Sequence, residues 1–301
     1  MLIYIEGNIG TGKTTFLNML QYYLYWFEYI NYDARILLEP VDECENTKDS
    51  DGKNILEKFY GDQTKYSYLF QMNSFISRVK KIVDEFERND AKLTVEYTDN
   101  HDNQENFDNQ VIPNPPDLIE NNINQENQDK DNSEDDIPEL IGNQVNHTND
   151  SWGDLDDSDD DMPDLMDANR MDKLLFVERS IYTDKNCFAE TCYETGKMTK
   201  LEYDVYSRWN EWLSSEFNVR PDAYIYLRCY PNVNYDRIQK RNRSGEEGIP
   251  IDYLETLHEK HDKWMAKEKE TIPVLTIDAL QDFKDPEVMA KIAEEIYHFV
   301  K

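Results

Sequence analysis

The sequence is poor in cysteine, has no long apolar run and is short of positive charge. Its four cysteines, Cys44, Cys187, Cys192 and Cys229, form neither a C-x-x-C pair nor a zinc-ligand spacing. That argues against a disulfide framework or a structural zinc as the organising device, and reduced thiols in a cytoplasmic setting are expected. No apolar run approaches the ~20 residues of a membrane-spanning helix, so no membrane partner is expected. Lysine and arginine number 32 against 63 aspartate and glutamate, a formal net charge of -31 over 301 residues. No basic stripe that could follow a phosphodiester backbone is present, so nucleic acid is not an expected partner.

The acidity is not spread evenly. Residues 90–172 hold 25 acidic and 3 basic residues, and the remainder is only mildly acidic. In this stretch Asn, Asp, Gln and Glu dominate, and Pro113, Pro115 and Pro116 interrupt any element. So little apolar surface cannot offset the entropy of ordering, which predicts a disordered acidic insert within one domain spanning 1–301. Such an insertion is cheap, because loop-closure entropy grows only logarithmically with length. Inside it, Pro116-Asp117-Leu118-Ile119, Pro138-Glu139-Leu140-Ile141 and Pro163-Asp164-Leu165-Met166 repeat a short pattern. They are candidate docking motifs for a protein partner.

The remaining sequence is organised around Gly7-Asn8-Ile9-Gly10-Thr11-Gly12-Lys13-Thr14-Thr15. It fits G-x-x-x-x-G-K-[ST] between an apolar strand, Leu2 to Ile5, and a helical pattern opening at Phe16. In such a loop the backbone N–H groups turn inward at the positive end of a helix and cradle phosphates. Lys13 would reach the β- and γ-phosphates, and the Thr14 hydroxyl would hold Mg²⁺. The strand starts at residue 2, so no signal or transit peptide is expected.

Further short apolar runs read as strands near 35–38, 173–177, 222–227 and 274–277. Helical patterns are expected near 54–60, 64–87, 182–194, 201–216, 233–241, 252–268 and 286–300. Alternating strands and helices predict a parallel α/β sheet covered on both faces.

Position in this plan singles out further residues. Glu39, before Pro40, stands at the carboxyl end of a strand, where open α/β sheets bind ligands. A carboxylate there can take the proton of a hydroxyl that attacks the γ-phosphate. Glu178 and Arg179 end the next strand, where a carboxylate can hold Mg²⁺ and an arginine can meet the acceptor. Arg237, Arg241 and Arg243 flank Ser244-Gly245-Glu246-Glu247-Gly248, the pattern of a mobile lid that brings positive charge over phosphates. His258 and His261 stand three apart on a helix, with no third metal ligand evident. Tyr203, Tyr206, Trp209 and Trp212 keep helical spacing and suit a core or a helix–helix dimer face.

Together these motifs resemble the deoxynucleoside kinases, particularly the branch acting on deoxyguanosine, deoxyadenosine and deoxycytidine. The resemblance rests on Gly7 to Thr15, Glu39-Pro40-Val41, Phe70-Gln71, Ser77-Arg78 and Glu178-Arg179-Ser180-Ile181-Tyr182-Thr183-Asp184. It extends to Arg237-Ile238, Arg241, Arg243, Gly248-Ile249-Pro250 and Asp282-Phe283. It implies a five-stranded parallel sheet of the P-loop kinase type, an arginine lid, ATP as phosphate donor and, usually, a homodimer. Glu39 would be the general base on a 5′-hydroxyl, Arg179 would contact that oxygen, and Glu178 would assist Mg²⁺. Tyr60 and Glu246 would hold the 3′-hydroxyl, with Glu247 as the alternative to Glu246. Gln71 would read the base edge, and Asp282 and Phe283 would pack on adenine. By the same resemblance, family members that prefer thymidine carry small apolar residues where this chain has Arg78 and Asp184. Arg78 can donate to guanine O6 and N7 and Asp184 can accept from an exocyclic amine. With Ser74, this pair implies a purine preference, deoxyguanosine first.

Two other readings share the loop. A nucleoside monophosphate kinase such as thymidylate kinase would need basic groups for an acceptor phosphate. A non-catalytic accessory protein of the same fold would not need Lys13, Thr14, Glu39 and the lid arginines together.

Overall fold

Five strands build the sheet: β1 Leu2–Glu6, β2 Tyr32–Leu37, β3 Asp172–Glu178, β4 Ala223–Arg228 and β5 Val274–Asp278. The computed structural model describes residues 1–24, 32–96, 172–243, 245–246 and 248–301. All strand pairs are parallel, in the order β2-β3-β1-β4-β5. β1 sits at the centre, with Ile5 opposite both Glu178 on β3 and Ile225 on β4. This register brings the phosphate loop and the Glu178-Arg179 turn side by side at the carboxyl ends of the strands.

The two faces of the sheet bury different clusters, as the period of two along a strand requires. Tyr4, Val177, Tyr224 and Tyr226 face one layer. Ile3, Ile5, Phe176, Ile225 and Leu227 face the other. Strands covered on both faces are apolar throughout, which is why β1 and β4 are legible in the sequence.

Ten α-helices accompany the strands among the described residues. They are α1 Lys13–Leu20, α2 Val41–Asn46, α3 Ile55–Gly61, α4 Gln63–Glu96, α5 Ile181–Thr183 and α6 Glu190–Glu194. The rest are α7 Lys200–Glu216, α8 Pro231–Arg241, α9 Ile251–Glu268 and α10 Pro286–Val300. A π-helical segment, Asp184–Ala189, joins α5 to α6. Helices α1 and α10 lie on the face with Ile3 and Ile5, whereas α4, α7 and α9 cover the face with Tyr4. Asn54 opens α3 with a capping box to Glu57, and Thr199 opens α7 with one to Glu202.

A helix end and a whole helix differ from the sequence expectation. The helix expected to end near 87 continues to Glu96, so the first residues assigned to the insert are helical. Once nucleated, a helix extends at little cost, and Ala91, Lys92 and Leu93 offer no break. Helix α2, directly after Glu39-Pro40, was not expected at all. The rest of the insert and its three repeated motifs lie outside the described residues.

Candidate active site

The loop after β1 has the backbone that its glycines permit. Gly7, Gly10 and Gly12 have φ of 151°, 80° and 91°. A Cβ on Gly10 would lie 2.6 Å from the Asn234 carbonyl oxygen of α8, so the loop can approach α8 only with glycine there. Asn8 is buried, and its side chain donates to Leu254 O at 2.8 Å and accepts from the Ile9 N–H at 2.8 Å. Thr11 donates to Asn8 O at 3.0 Å. Lys13 folds back over the loop and donates to Gly7 O at 3.1 Å and Asn8 O at 2.9 Å. Burial, reinforced by Arg179, lowers the Lys13 pKa to about 7 against the opposing pull of Glu178, Glu39 and Glu6.

Thr14, at the first turn of α1, donates from its hydroxyl to Glu178 Oε1 at 2.8 Å. The other Glu178 oxygen accepts from the Glu39 N–H at 3.3 Å. A hydroxyl and a carboxylate in contact beside a phosphate loop are the hard oxygen donors that Mg²⁺ takes together with substrate phosphates and water. Among the described residues no group of three His, Cys, Asp or Glu side chains could hold a metal unaided. The donor set therefore fits Mg²⁺ shared with a nucleotide. His261 is buried, with Nδ1 2.6 Å from Leu257 O, and His258 sits 3.4 Å from Asp262.

Next to the loop a cavity of about 330 Å³ opens between the sheet edge, α3, α4, the π segment and α9. Its wall includes Ile9, Gly10, Gly12, Lys13, Thr14, Thr15, Glu39, Tyr60, Gln71, Arg78, Glu178, Arg179, Asp184, Arg241, Arg243 and Glu246. Residues from nearly the whole length of the chain thus line one space.

Arg78 on α4 organises the far end of that cavity. One guanidinium nitrogen lies 2.6 Å from both Asp184 oxygens. The other terminal nitrogen donates to Glu39 Oε1. Arg179 Nε lies 3.9 Å from the same Glu39 oxygen. Burial alone would raise the Glu39 carboxyl; Arg179, Arg78 and Lys13 outweigh it and hold it at about 2. Burial raises Asp184 to about 6, opposed by Arg78 and Arg179, so it too is largely ionised at neutral pH. Gln71 Nε2 and Arg78 Nε are buried without a hydrogen-bond partner among the described residues. Unpaired buried donors are rare and costly, and here both belong to side chains of the cavity wall.

The lid arginines are divided. Arg237 donates to Thr11 O at 3.2 Å, behind the loop, and does not line the cavity. Arg241 pairs with Glu246, and Arg243 lies 3.6 Å from it. Tyr60 shares the cavity with Glu246, and burial with that neighbouring carboxylate raises the phenol pKa. Ser244 and Glu247 lie outside the described residues. Asp282 is exposed and accepts from Lys284 N at 3.0 Å, while Phe283 is buried edge-on against Phe16 with centroids 5.2 Å apart. Neither lines the cavity, although Phe283 lies alongside Gly12.

The sequence that builds this site has counterparts among known proteins. The deoxynucleoside kinase family pattern matches residues 3–108 and 161–301. The chain belongs to the deoxynucleoside kinase family. Deoxycytidine kinase of Rattus norvegicus is 27% identical over 99% of this chain and 90% of its own length. A probable deoxycytidine kinase of fowlpox virus is 24% identical over 99% of this chain and 87% of its own. Mitochondrial thymidine kinase 2 of Homo sapiens is 36% identical over 36% of this chain and 43% of its own.

In this member of the deoxynucleoside kinase family the cavity has walls that residue patterns alone did not reveal. Phe188 lies under the Arg179 guanidinium at 4.6 Å. Tyr253 places a buried hydroxyl there with no partner among the described residues. Cys44 accepts from Asn73 Nδ2 at 3.4 Å. Their aromatic or thiol character alone reads as core. Only the spacing of four from Asp184 to Phe188 could have pointed to a shared face.

Proposed function

We propose that this chain transfers the γ-phosphoryl group of ATP to the 5′-hydroxyl of a deoxynucleoside, in salvage of DNA precursors, with deoxyguanosine preferred. The observation that carries this reading is the placement of Glu39 between the phosphate loop and the Arg78–Asp184 pair.

Glu39, held ionised at about 2, can orient the 5′-hydroxyl and accept its proton as the oxygen attacks. Arg179 stands beside it to stabilise the charge developing on that oxygen. Lys13 and the loop amides hold the triphosphate, and Arg241 and Arg243 exchange Glu246 for phosphate oxygens on closure. Tyr60 and Glu246 hold the 3′-hydroxyl. Thr14 and Glu178 would hold Mg²⁺, which when bound neutralises charge on the β- and γ-phosphates.

The base end supports a purine. Gln71 and Arg78 offer unpaired donors and Asp184 offers an acceptor. Ser74 and Cys44 are small side chains on the same wall, which leaves width for two rings. A second reading puts deoxycytidine first and is favoured by the names of the full-length relatives. The apolar residues that α4 and α7 expose, Leu69, Ile76, Trp209 and Trp212, support a homodimer through these helices.

Incubation of the purified chain with MgATP and deoxyguanosine should yield deoxyguanosine 5′-monophosphate and ADP. Deoxyguanosine monophosphate as acceptor should give no product. The reverse pattern would identify a monophosphate kinase, and no transfer to any nucleoside would identify a binding protein.

A further inference from the structure

Glu6, the last residue of β1, is a fully buried carboxylate outside the cavity wall. A buried charge is expensive unless hydrogen-bonded. Its Oε1 accepts from the Ser180 N–H at 3.0 Å, and its Oε2 accepts from the Thr183 hydroxyl. One residue earlier, Ile5 O accepts from the Arg179 N–H at 3.0 Å. The end of β1 therefore holds the amide on each side of the Arg179 α-carbon. Ser180 Oγ also accepts from the Thr183 N–H at 3.2 Å, which ties the start of α5 into the same knot.

Arg179 needs that hold. Its φ is 64°, in the left-handed region, and it is not glycine. Such a backbone is strained for a residue with a Cβ and persists where its surroundings over-determine it. The turn sets the Arg179 guanidinium beside Glu39, with Nε 3.9 Å from Oε1, and over the Phe188 ring.

We propose that Glu6 is a positioning residue for phosphoryl transfer: through Ser180 and Thr183 it holds the Arg179 turn, and with it the guanidinium beside Glu39. This rests on the reading of Arg179 as a contact to the acceptor oxygen.

Steady-state kinetics of the full chain with MgATP and deoxyguanosine test it, in Glu6→Ala, Glu6→Gln, Arg179→Lys and the double variants. Glu6→Ala lowers kcat by about 10- to 100-fold and leaves the deoxyguanosine KM within about threefold, the pattern of a lost transition-state interaction. Glu6→Gln recovers most of the rate, because its amide oxygen can accept from Ser180 while its NH₂ donates to the Thr183 oxygen. In the Arg179→Lys background the Glu6→Ala effect shrinks below about threefold, as coupled residues do. Thr183→Val removes one donor and keeps the carboxylate, and it carries the same readouts if Glu6→Ala does not fold. Wild-type kcat in Glu6→Ala or Thr183→Val, or an undiminished effect in the Arg179→Lys background, overturns the inference. A wild-type chain inactive on every deoxynucleoside overturns the kinase reading itself, and the inference falls with it.

Discussion

Arg78 donates to Glu39 across 39 residues of sequence. The same guanidinium grips Asp184 through its other terminal nitrogen. The residue proposed to read the nucleobase is thereby linked to the residue proposed to take the hydroxyl proton. On that proposal base recognition and catalysis share one ion network, so changes at either end should register at the other.

Removing one member of a buried ion pair leaves an uncompensated charge, at a cost of about 3–5 kcal/mol. Arg78→Met should therefore lower the melting temperature more than Asp184→Ala, because it strips a cation from both Glu39 and Asp184, whereas Asp184→Ala leaves Arg78 paired with Glu39. The double variant Arg78→Met with Asp184→Ala should recover part of the loss of Arg78→Met. The double variant should also raise the thymidine-to-deoxyguanosine ratio of kcat/KM by at least about tenfold, because the donor and acceptor for a purine edge are both gone. Thermal melts and a two-substrate assay check both parts.

Glu39→Gln keeps the shape of the side chain and removes its basicity. Its kcat should fall by about 10²- to 10⁴-fold, the range for a lost general base. Deoxynucleoside binding, measured by titration calorimetry, should change little. Near-normal turnover would remove Glu39 from the base role.

Lys13, at about 7 in the ligand-free chain, is mostly neutral at pH 8. A bound triphosphate favours the ammonium form, so nucleotide binding at pH 8 should take up close to one proton, and at pH 6 almost none. Calorimetry in buffers of different ionisation enthalpy measures this. Equal uptake at both pH values would contradict the burial argument.

Trp209 and Trp212 are 45% and 50% exposed and pack edge-on against each other. Changing both to glutamate should convert the proposed dimer to a monomer in sedimentation velocity, with the melting temperature of the protomer nearly unchanged. A wild-type chain that already sediments as a monomer would exclude the interface.

Much of this architecture is legible in the residues themselves. The apolar runs of β1 and β4 and the loop between Gly7 and Thr14 fix the sheet centre and the phosphate end. The period of α4 and the strand-end positions of Glu39 and Glu178 bring the polar site together. Less is legible where geometry is set by contacts. Nothing in Asp184–Ala189 marks a π turn, and Phe188 and Tyr253 read as core because an aromatic side chain fills either place. The aromatic set on α7 divides, since Tyr206 is buried whereas Trp209 and Trp212 are exposed; helical spacing alone could not assign them. Glu6, beside a glycine-rich loop, reads as a surface acid until the register with β3 places it under Ser180.

The most direct test is kcat/KM for deoxyguanosine, deoxyadenosine, deoxycytidine and thymidine with saturating MgATP. Phosphorylation of all but thymidine at measurable rates, with deoxyguanosine highest, is the predicted result. Thymidine in first place would contradict the account of Arg78 and Asp184 as a purine-reading pair.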